Sequence, residues 1–550
     1  MHDIASIPTT APARSITEVL ADLIGNRTFQ MVTLLLYAFF LNHEGFHVPA
    51  GNELVYLLYV YKAWHPSFMA ADWTFHEPTA GHAFFNVTTG WLTLLMPLGA
   101  AAWVGRIVCW VLAFIGLTRL GSHLKIPSWS IWLGILLWMV EGQALPTTAW
   151  SEWFIGSFEA KCVGYICLIF ALDAALREQI VKAGLMAGLC FSFHSAVGMW
   201  GGLALGWAVL WQFPIRRTLL FSGCAAVVGV AGLIPSLPLL FGPKAISAEE
   251  AKFMVTRAAA LCFDPFTFYR PYVALLVLMF VFAWVYRQQH KSRAVDMLFQ
   301  FQLVLFIVYV FGFVARAANR FDLLILFPLR VFSVLVMLFF FWQFFAAVIL
   351  LWRNRGRNEP GHILLAGFGL LVFLGLPSPV SRIANVVAMH LHYQSWIGAT
   401  PIVAADDSLE NKANFRAAAV WVRDNTPADA TVIAPPWRGD AFYFMRRPLI
   451  ANWHDYRFDD MTGWRKRMEQ LVGDLSNLDA YDLDPGDLDL KARSYYRNLP
   501  VASIASLQHQ FAATWLITTS EYPYPQTFSS GVWKVYQLPA GAAANVPSIR

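Results

Sequence analysis

Four acids, Glu44, Glu53, Asp72 and Glu77, and four histidines, His43, His47, His76 and His82, crowd into the stretch from His43 to Arg106. A carboxylate in such a setting can take a proton from a hydroxyl, or hold a divalent cation such as magnesium or manganese. Each acid taken alone fits the cap of a surface helix equally well. The histidines match no helical pair spacing for a metal, so the sequence assigns no metal ligands.

A second set of residues suits an anion. In FVARAANRFDLLILFPLRVF, Arg316 and Arg320 stand four residues apart on one helical face, and Arg330 follows Pro328. The arginine fork matches phosphate oxygens, with pairing to Asp322 as the plainer alternative. The turn SEWFIGSFEAKCVGY carries Glu152, Glu159 and Lys161, which either pair with one another or line an acceptor cavity. His194, in the break FSFHSAVGMW, falls on the same side.

The elements that must position these groups are membrane helices. Hydrophobic residues make up 57% of the 550, charged residues 14%, and mean hydropathy is +0.50; a soluble chain carries about a quarter charged residues. Ionisable groups beside a bilayer are costly unless paired or used, which makes the His43–Arg106 stretch the first place to look for a site. The net charge of +5 comes from loop arginines and marks no nucleic-acid patch. Cys109, Cys162, Cys167, Cys190, Cys224 and Cys262 show no zinc or disulfide spacing.

Hydropathy predicts about eleven spans, at 28–42, 102–119, 128–141, 160–175, 183–196, 198–212, 218–241, 271–287, 297–315, 329–352 and 361–378. Alternate turns hold the cations: Arg119 and Lys125, Arg177 and Lys182, Arg216 and Arg217, then Arg287, Lys291 and Arg293, then Arg353, Arg355 and Arg357. The positive-inside rule puts those turns and residues 1–27 in the cytoplasm. Residues 1–27 lack a signal-peptide core, so the first span is expected to be an uncleaved anchor. A crossing at 83–98 would move Arg119 and Lys125 outside, so that stretch is expected to lie along the outer surface. The membrane unit is then 28–384, with a large outer loop at 43–101.

From residue 385 polar residues and prolines return, and 385–550 reads as a small extracytoplasmic α/β domain. Helices are predicted at 412–425, 460–474 and 502–510, and strands at 431–434, 513–518 and 532–538. No Gly-rich phosphate loop is present. The long loop 242–270 is expected to gate the outer face as a lid. A bacterial inner membrane with this domain in the periplasm is the default placement.

The outer loop runs from the acidic end of the first span through two interfacial helices and a histidine turn to an apolar helix, then an arginine entering the next span. In this order it resembles the GT-C class of polytopic glycosyltransferases, which use lipid-linked sugars. The matching stretches are Asn52-Glu53-Leu54, Pro78 to His82, Ala83 to Gly99, and Arg106. The likeness covers the whole chain, as an architecture. Asn52 stands where many members have aspartate, which leaves the catalytic carboxylate among Glu53, Glu44 and Asp72. The resemblance implies a mostly α, polytopic helical bundle with a small outer α/β domain. It implies transfer of a sugar from a polyprenyl-phosphate-type carrier to a glycan, lipid or protein acceptor at the outer face. It also implies phosphate contacts from Arg316, Arg320, Arg330, Arg106 and Lys161, and acceptor-side contacts from His76, His82, Glu159 and His194. The competing class is a non-catalytic polytopic protein, a scaffold or a transporter. A transporter would place duplicated ionisable groups near the bilayer midplane, whereas here the charges gather at the outer face.

Overall fold

The computed structural model describes residues 22–41, 52–75, 82–144, 154–234, 237, 247–252, 265–353, 360–376, 409–453, 460–475 and 485–539. Its membrane part contains α1 (Arg27–Leu41), α2 (Glu53–Trp64), α3 (Ala83–Gly90), α4 (Leu92–Leu95), α5 (Leu98–Ser122), α6 (Ser128–Ala144), α7 (Ala160–Leu176) and α8 (Ile180–Phe193). It continues with α9 (Ser195–Gln212), α10 (Ile215–Leu233), α11 (Pro265–Gln289), α12 (Arg293–Ala317), α13 (Phe321–Leu324), α14 (Arg330–Arg353) and α15 (Pro360–Leu374). A helix lies at every stretch read as a span. Of the described helices, α5, α10, α12 and α14 are long and apolar enough to cross a bilayer, and several others are shorter apolar helices. The chain is an integral membrane protein.

The apolar α14 is buried on all sides, from Val331 to Phe344, as a helix at the centre of a bundle must be. It is locked to α6 by two tryptophans, whose indole N–H groups need acceptors once they leave water. Trp138 donates to the Val334 carbonyl at 2.9 Å, and Trp342 donates to that of Ile131 at 3.2 Å. Small residues bring α8 and α10 together: a Cβ on Gly184 or Gly188 would lie 2.5 Å from the carbonyl oxygen of Phe221 or Ala225. Close backbone approach is the usual way that apolar helices associate in lipid.

Ion pairs tie one end of the bundle. Asp173 is held by Arg119 at 2.7 Å, Arg177 at 2.9 Å and His123 at 3.0 Å. Glu178 bridges Arg217 and Arg293, and Asp296 takes Arg287 together with the Trp211 and Gln212 side chains. These are the turns expected to face the cytoplasm.

At the other end the stretch 83–98 breaks into α3 and α4 before Pro97 introduces α5. Both pieces are far shorter than the ~20 residues a helical crossing needs. They rest on α2, where Trp64 Nε1 donates to the Val87 carbonyl at 2.9 Å.

The C-terminal part contains α16 (Leu409–Asn425), β1 (Thr431–Ile433), α17 (Ala441–Met445), α18 (Met461–Val472), α19 (Pro485–Arg497), α20 (Val501–Phe511), β2 (Ala513–Thr518), β3 (Gln526–Ser530) and β4 (Trp533–Gln537). The sheet order is β1-β2-β4-β3, with β1 parallel to β2 and the remaining pairs antiparallel. Strand alternation splits β2: Trp515 and Ile517 pack with α16, while Leu516 faces the core of α18 to α20. Of these elements, β3, α17 and α19 were not read from the sequence.

The domain sits on the first outer loop. Phe75 meets Phe442 edge-on at 5.1 Å, and Arg467 lies over Trp73 at 4.3 Å. From the loop expected to act as a lid, Glu250 accepts from Thr462 Oγ1 at 2.9 Å, and most of that loop lies outside the described residues.

Candidate functional site

The two described acids of the outer loop are both consumed by structure. Glu53, in the first turn of α2, is fully buried. Arg106 of α5 meets it with a bidentate fork, Nε to Oε1 at 2.7 Å and Nη2 to Oε2 at 2.5 Å, and the Phe158 N–H also donates to it. Glu53 and Arg106, expected as base and phosphate ligand, thus cross-brace α2, α5 and the turn before α7. The Arg106 Nη1 atom is buried and has no hydrogen-bond partner among the described residues.

Asp72 is buried too and accepts three backbone N–H groups: Thr74 at 2.7 Å, Phe75 at 3.0 Å and Leu449 at 2.8 Å. Burial pushes its carboxyl up to about 6, against those three bonds and the nearby Arg467. Its place is the junction with the C-terminal domain, where all its geometry is spent on backbone donors. Glu44 and His76 lie outside the described residues, as do His43, His47, Glu77 and Glu152.

A different group of ionisable side chains converges beside the Glu53 brace. Glu159 caps α7 in an extended conformation and is buried. Its carboxylate takes Lys161 Nζ at 3.1 Å, Asn52 Nδ2 at 3.3 Å and the Ser157 hydroxyl. Burial raises the Glu159 carboxyl, yet Lys161 and the bonds from Ser157, Lys161 and Asn52 together hold it below the usual glutamate range. The helix N-terminus favours the same charge.

His82, ahead of α3, sets its ring 5.1 Å from Tyr56 and stacks at 5.7 Å on His194. Burial drives the His82 imidazole down to about 4, with Glu159 opposing and Lys161 reinforcing, so it is neutral at pH 7. His194 occupies the extended link between α8 and α9, where its Nδ1 accepts the Val197 N–H at 3.3 Å. Gly164 in α7 makes room, since a Cβ there would sit 3.0 Å from that of His194. Lys161 and Arg330 both lie within electrostatic reach of His194. Arg330 opens α14 with its guanidinium 3.7 Å above the Phe327 ring.

The structure therefore gathers Glu159 and Lys161 from the start of α7, His82 from ahead of α3, His194 from ahead of α9 and Arg330 from the start of α14 at one end of the bundle. Asp72, Arg316 and Arg320 do not join them in any described contact. Arg320 is exposed and forms a fork with its neighbour Asp322, at 2.9 and 2.7 Å. Arg316, at the last turn of α12, lines an open groove of about 540 Å³ with Phe313, Val314, Ala317 and Asn319. Among the described residues no three His, Cys, Asp or Glu side chains gather to hold a metal ion. Lys161 on Glu159, and Arg330 within reach of His194, place cations here that suit an anion. Asn52 was visible in the sequence only as a departure from a pattern, and nothing in the sequence pointed to its bond with Glu159.

Residues 413–471 match the family described as Domain of unknown function (DUF6798). No curated protein matches the chain. Among solved structures, the oligosaccharyltransferase of Archaeoglobus fulgidus, tethered to an acceptor peptide by a disulfide, is similar with a TM-score of 0.48 and 12% identity. The match covers 89% of this chain and 68% of that one.

Proposed function

We propose that the protein is a membrane glycosyltransferase that moves a sugar from a lipid-phosphate carrier, of the polyprenyl type, to an acceptor at the outer face of the membrane. The observation that carries this reading is the buried Glu159–Lys161 pair, with Arg330 within reach of His194, at the end of the apolar bundle opposite Asp173. When a glycosyl phosphate bond breaks, negative charge grows on the departing phosphate, and fixed cations in a dry setting stabilise it. Lys161 and Arg330 are the cations for that task, and neutral His82, with His194 stacked on it, lines the acceptor side. The groove at Arg316 is lined by Val314, 60% exposed on an apolar helix; it supplies a route for a carrier tail.

Because Glu53 is committed to Arg106, we assign proton abstraction from the acceptor to Glu44, the first acid after α1. A divalent metal would need a carboxylate beyond the described cluster, so the proposal routes no step through one. The other class, a non-catalytic polytopic protein, is favoured by the internal satisfaction of both Glu53 and Asp72.

The deciding experiment supplies purified protein in nanodiscs with polyprenyl-phosphate sugars and a glycan acceptor. Glu44→Gln and Lys161→Met should each lower turnover about a hundredfold or more, the loss expected for one general base or one charge-stabilising donor. Glu44→Gln should also keep the wild-type melting temperature. Absence of turnover with every carrier, or full activity in Glu44→Gln, rejects the assignment.

A further inference from the structure

We propose that the end of α16 and the turn after α17 carry an anion site, formed by Arg446, Arg423 and Tyr443, that takes a phosphate group. This inference stands whether or not the bundle transfers sugars.

The scaffold of the site is Arg447. Its buried guanidinium donates to Thr426 Oγ1 at 3.0 Å, the Thr426 carbonyl at 2.7 Å, the Arg446 carbonyl at 3.0 Å and the Arg423 carbonyl. Those bonds satisfy carbonyls at the end of α16, where a helix leaves acceptors unpaired. They also bring the backbones of Arg423 and Arg446 to opposite sides of one fixed group.

Arg446 itself is held in the left-handed region, φ 50° and ψ 41°. A long side chain is costly there and persists only where the surroundings impose it. The surroundings do impose it. Phe442 and Met445 are buried on one side, while on the other Arg447 is bonded to carbonyls and the Leu449 N–H is fixed on Asp72. A glycine would meet the same turn without strain, yet an arginine is present.

The Arg446 guanidinium has no ion pair among the described residues, and its Nε is buried without a hydrogen-bond partner. Among the described residues, Arg423 forms an ion pair with its exposed neighbour Asp424, at 2.8 Å. The charged groups within reach of this patch are Arg423, Arg446 and Arg447 against Asp424, Asp429 and Glu53, and Glu53 is already paired with Arg106. From α17, the Tyr443 hydroxyl lies within electrostatic reach of Arg423, Arg446 and Glu53. Two guanidinium forks and a phenol donor, partly open to solvent, match the several oxygens of a phosphate better than a single carboxylate. The phosphate can belong to a membrane lipid headgroup or to a soluble phosphorylated sugar.

The test uses the full chain in detergent, titrated calorimetrically with inorganic phosphate, glucose 1-phosphate, dihexanoyl phosphatidylglycerol and sulfate. Wild type should bind one of the two organic phosphates more tightly than sulfate; whichever it prefers names the source. Arg446→Gly should weaken that binding about tenfold or more. Its melting temperature should stay unchanged or rise, because glycine accepts the left-handed backbone. Arg423→Ala should weaken binding in parallel. Equal binding of sulfate and the organic phosphates, no binding by wild type, or wild-type affinity in both variants overturns the proposal.

Discussion

Glu53 shows how an acid that looks catalytic in a sequence can also serve as a brace. Its carboxylate and the Arg106 guanidinium are 0% and 1% exposed, so neither charge can borrow solvation from water. Removing one partner strands the other, which costs about 3–5 kcal/mol, whereas replacing both with apolar groups is close to neutral. Glu53→Gln should therefore lower thermal stability in detergent strongly, and Glu53→Met with Arg106→Met should recover most of the loss. If Glu53→Gln melts like wild type but is inactive, Glu53 is the base and the assignment to Glu44 falls. The sequence showed that a buried charge here needs a purpose. It could not show that the partner lies 53 residues away, because that pairing depends on how α2 meets α5.

At the scale of elements, the local signals were legible and the distant ones were not. Apolar runs locate the helices, since burial in lipid and hydropathy are the same property read twice. Alternation located β2 and β4 for the same kind of reason. The edge strand β3, Gln526-Thr527-Phe528-Ser529-Ser530, is largely exposed and carries no such pattern; it exists because β4 offers it a ladder. The seat of the C-terminal domain was equally hidden, since Asp72 and Leu449 are 377 residues apart. Asp72→Ala would leave the Thr74, Phe75 and Leu449 donors without their acceptor, at about 1–3 kcal/mol for each that finds no water. The expected result is faster amide exchange at Leu449 and around α17, with the bundle itself unchanged. Unaltered protection at Leu449 would mean that the aromatic contact of Phe75 with Phe442 holds the seat alone.

For the whole molecule, contacts between distant segments constrain how often the chain crosses the membrane. The first outer loop touches the C-terminal domain through Asp72 and Phe75, so an even number of crossings must separate residue 75 from residue 442. The spans read from 102–119 to 361–378 number ten, which is even; a crossing at 83–98 would make the count odd. The other contacts obey the same parity. Glu250 reaches Thr462 across four expected spans, and Phe327 packs on the core of the C-terminal domain across two. The paired arginines at the opposite end, on Asp173, Glu178 and Asp296, supply the sign, since cations concentrate on the cytoplasmic side. Val532, 53% exposed in the β3–β4 turn, and Ser122, after the first long span, should then lie on opposite sides. In a background with Cys224 and Cys262 changed to serine, Val532→Cys should react with an impermeant maleimide on intact cells. Ser122→Cys should react only after permeabilisation. Labelling of Ser122→Cys from outside with Val532→Cys protected would invert the molecule, and with it move the cluster of Glu159, Lys161 and Arg330 to the cytoplasmic face, where a transferase would draw on a different pool of donors.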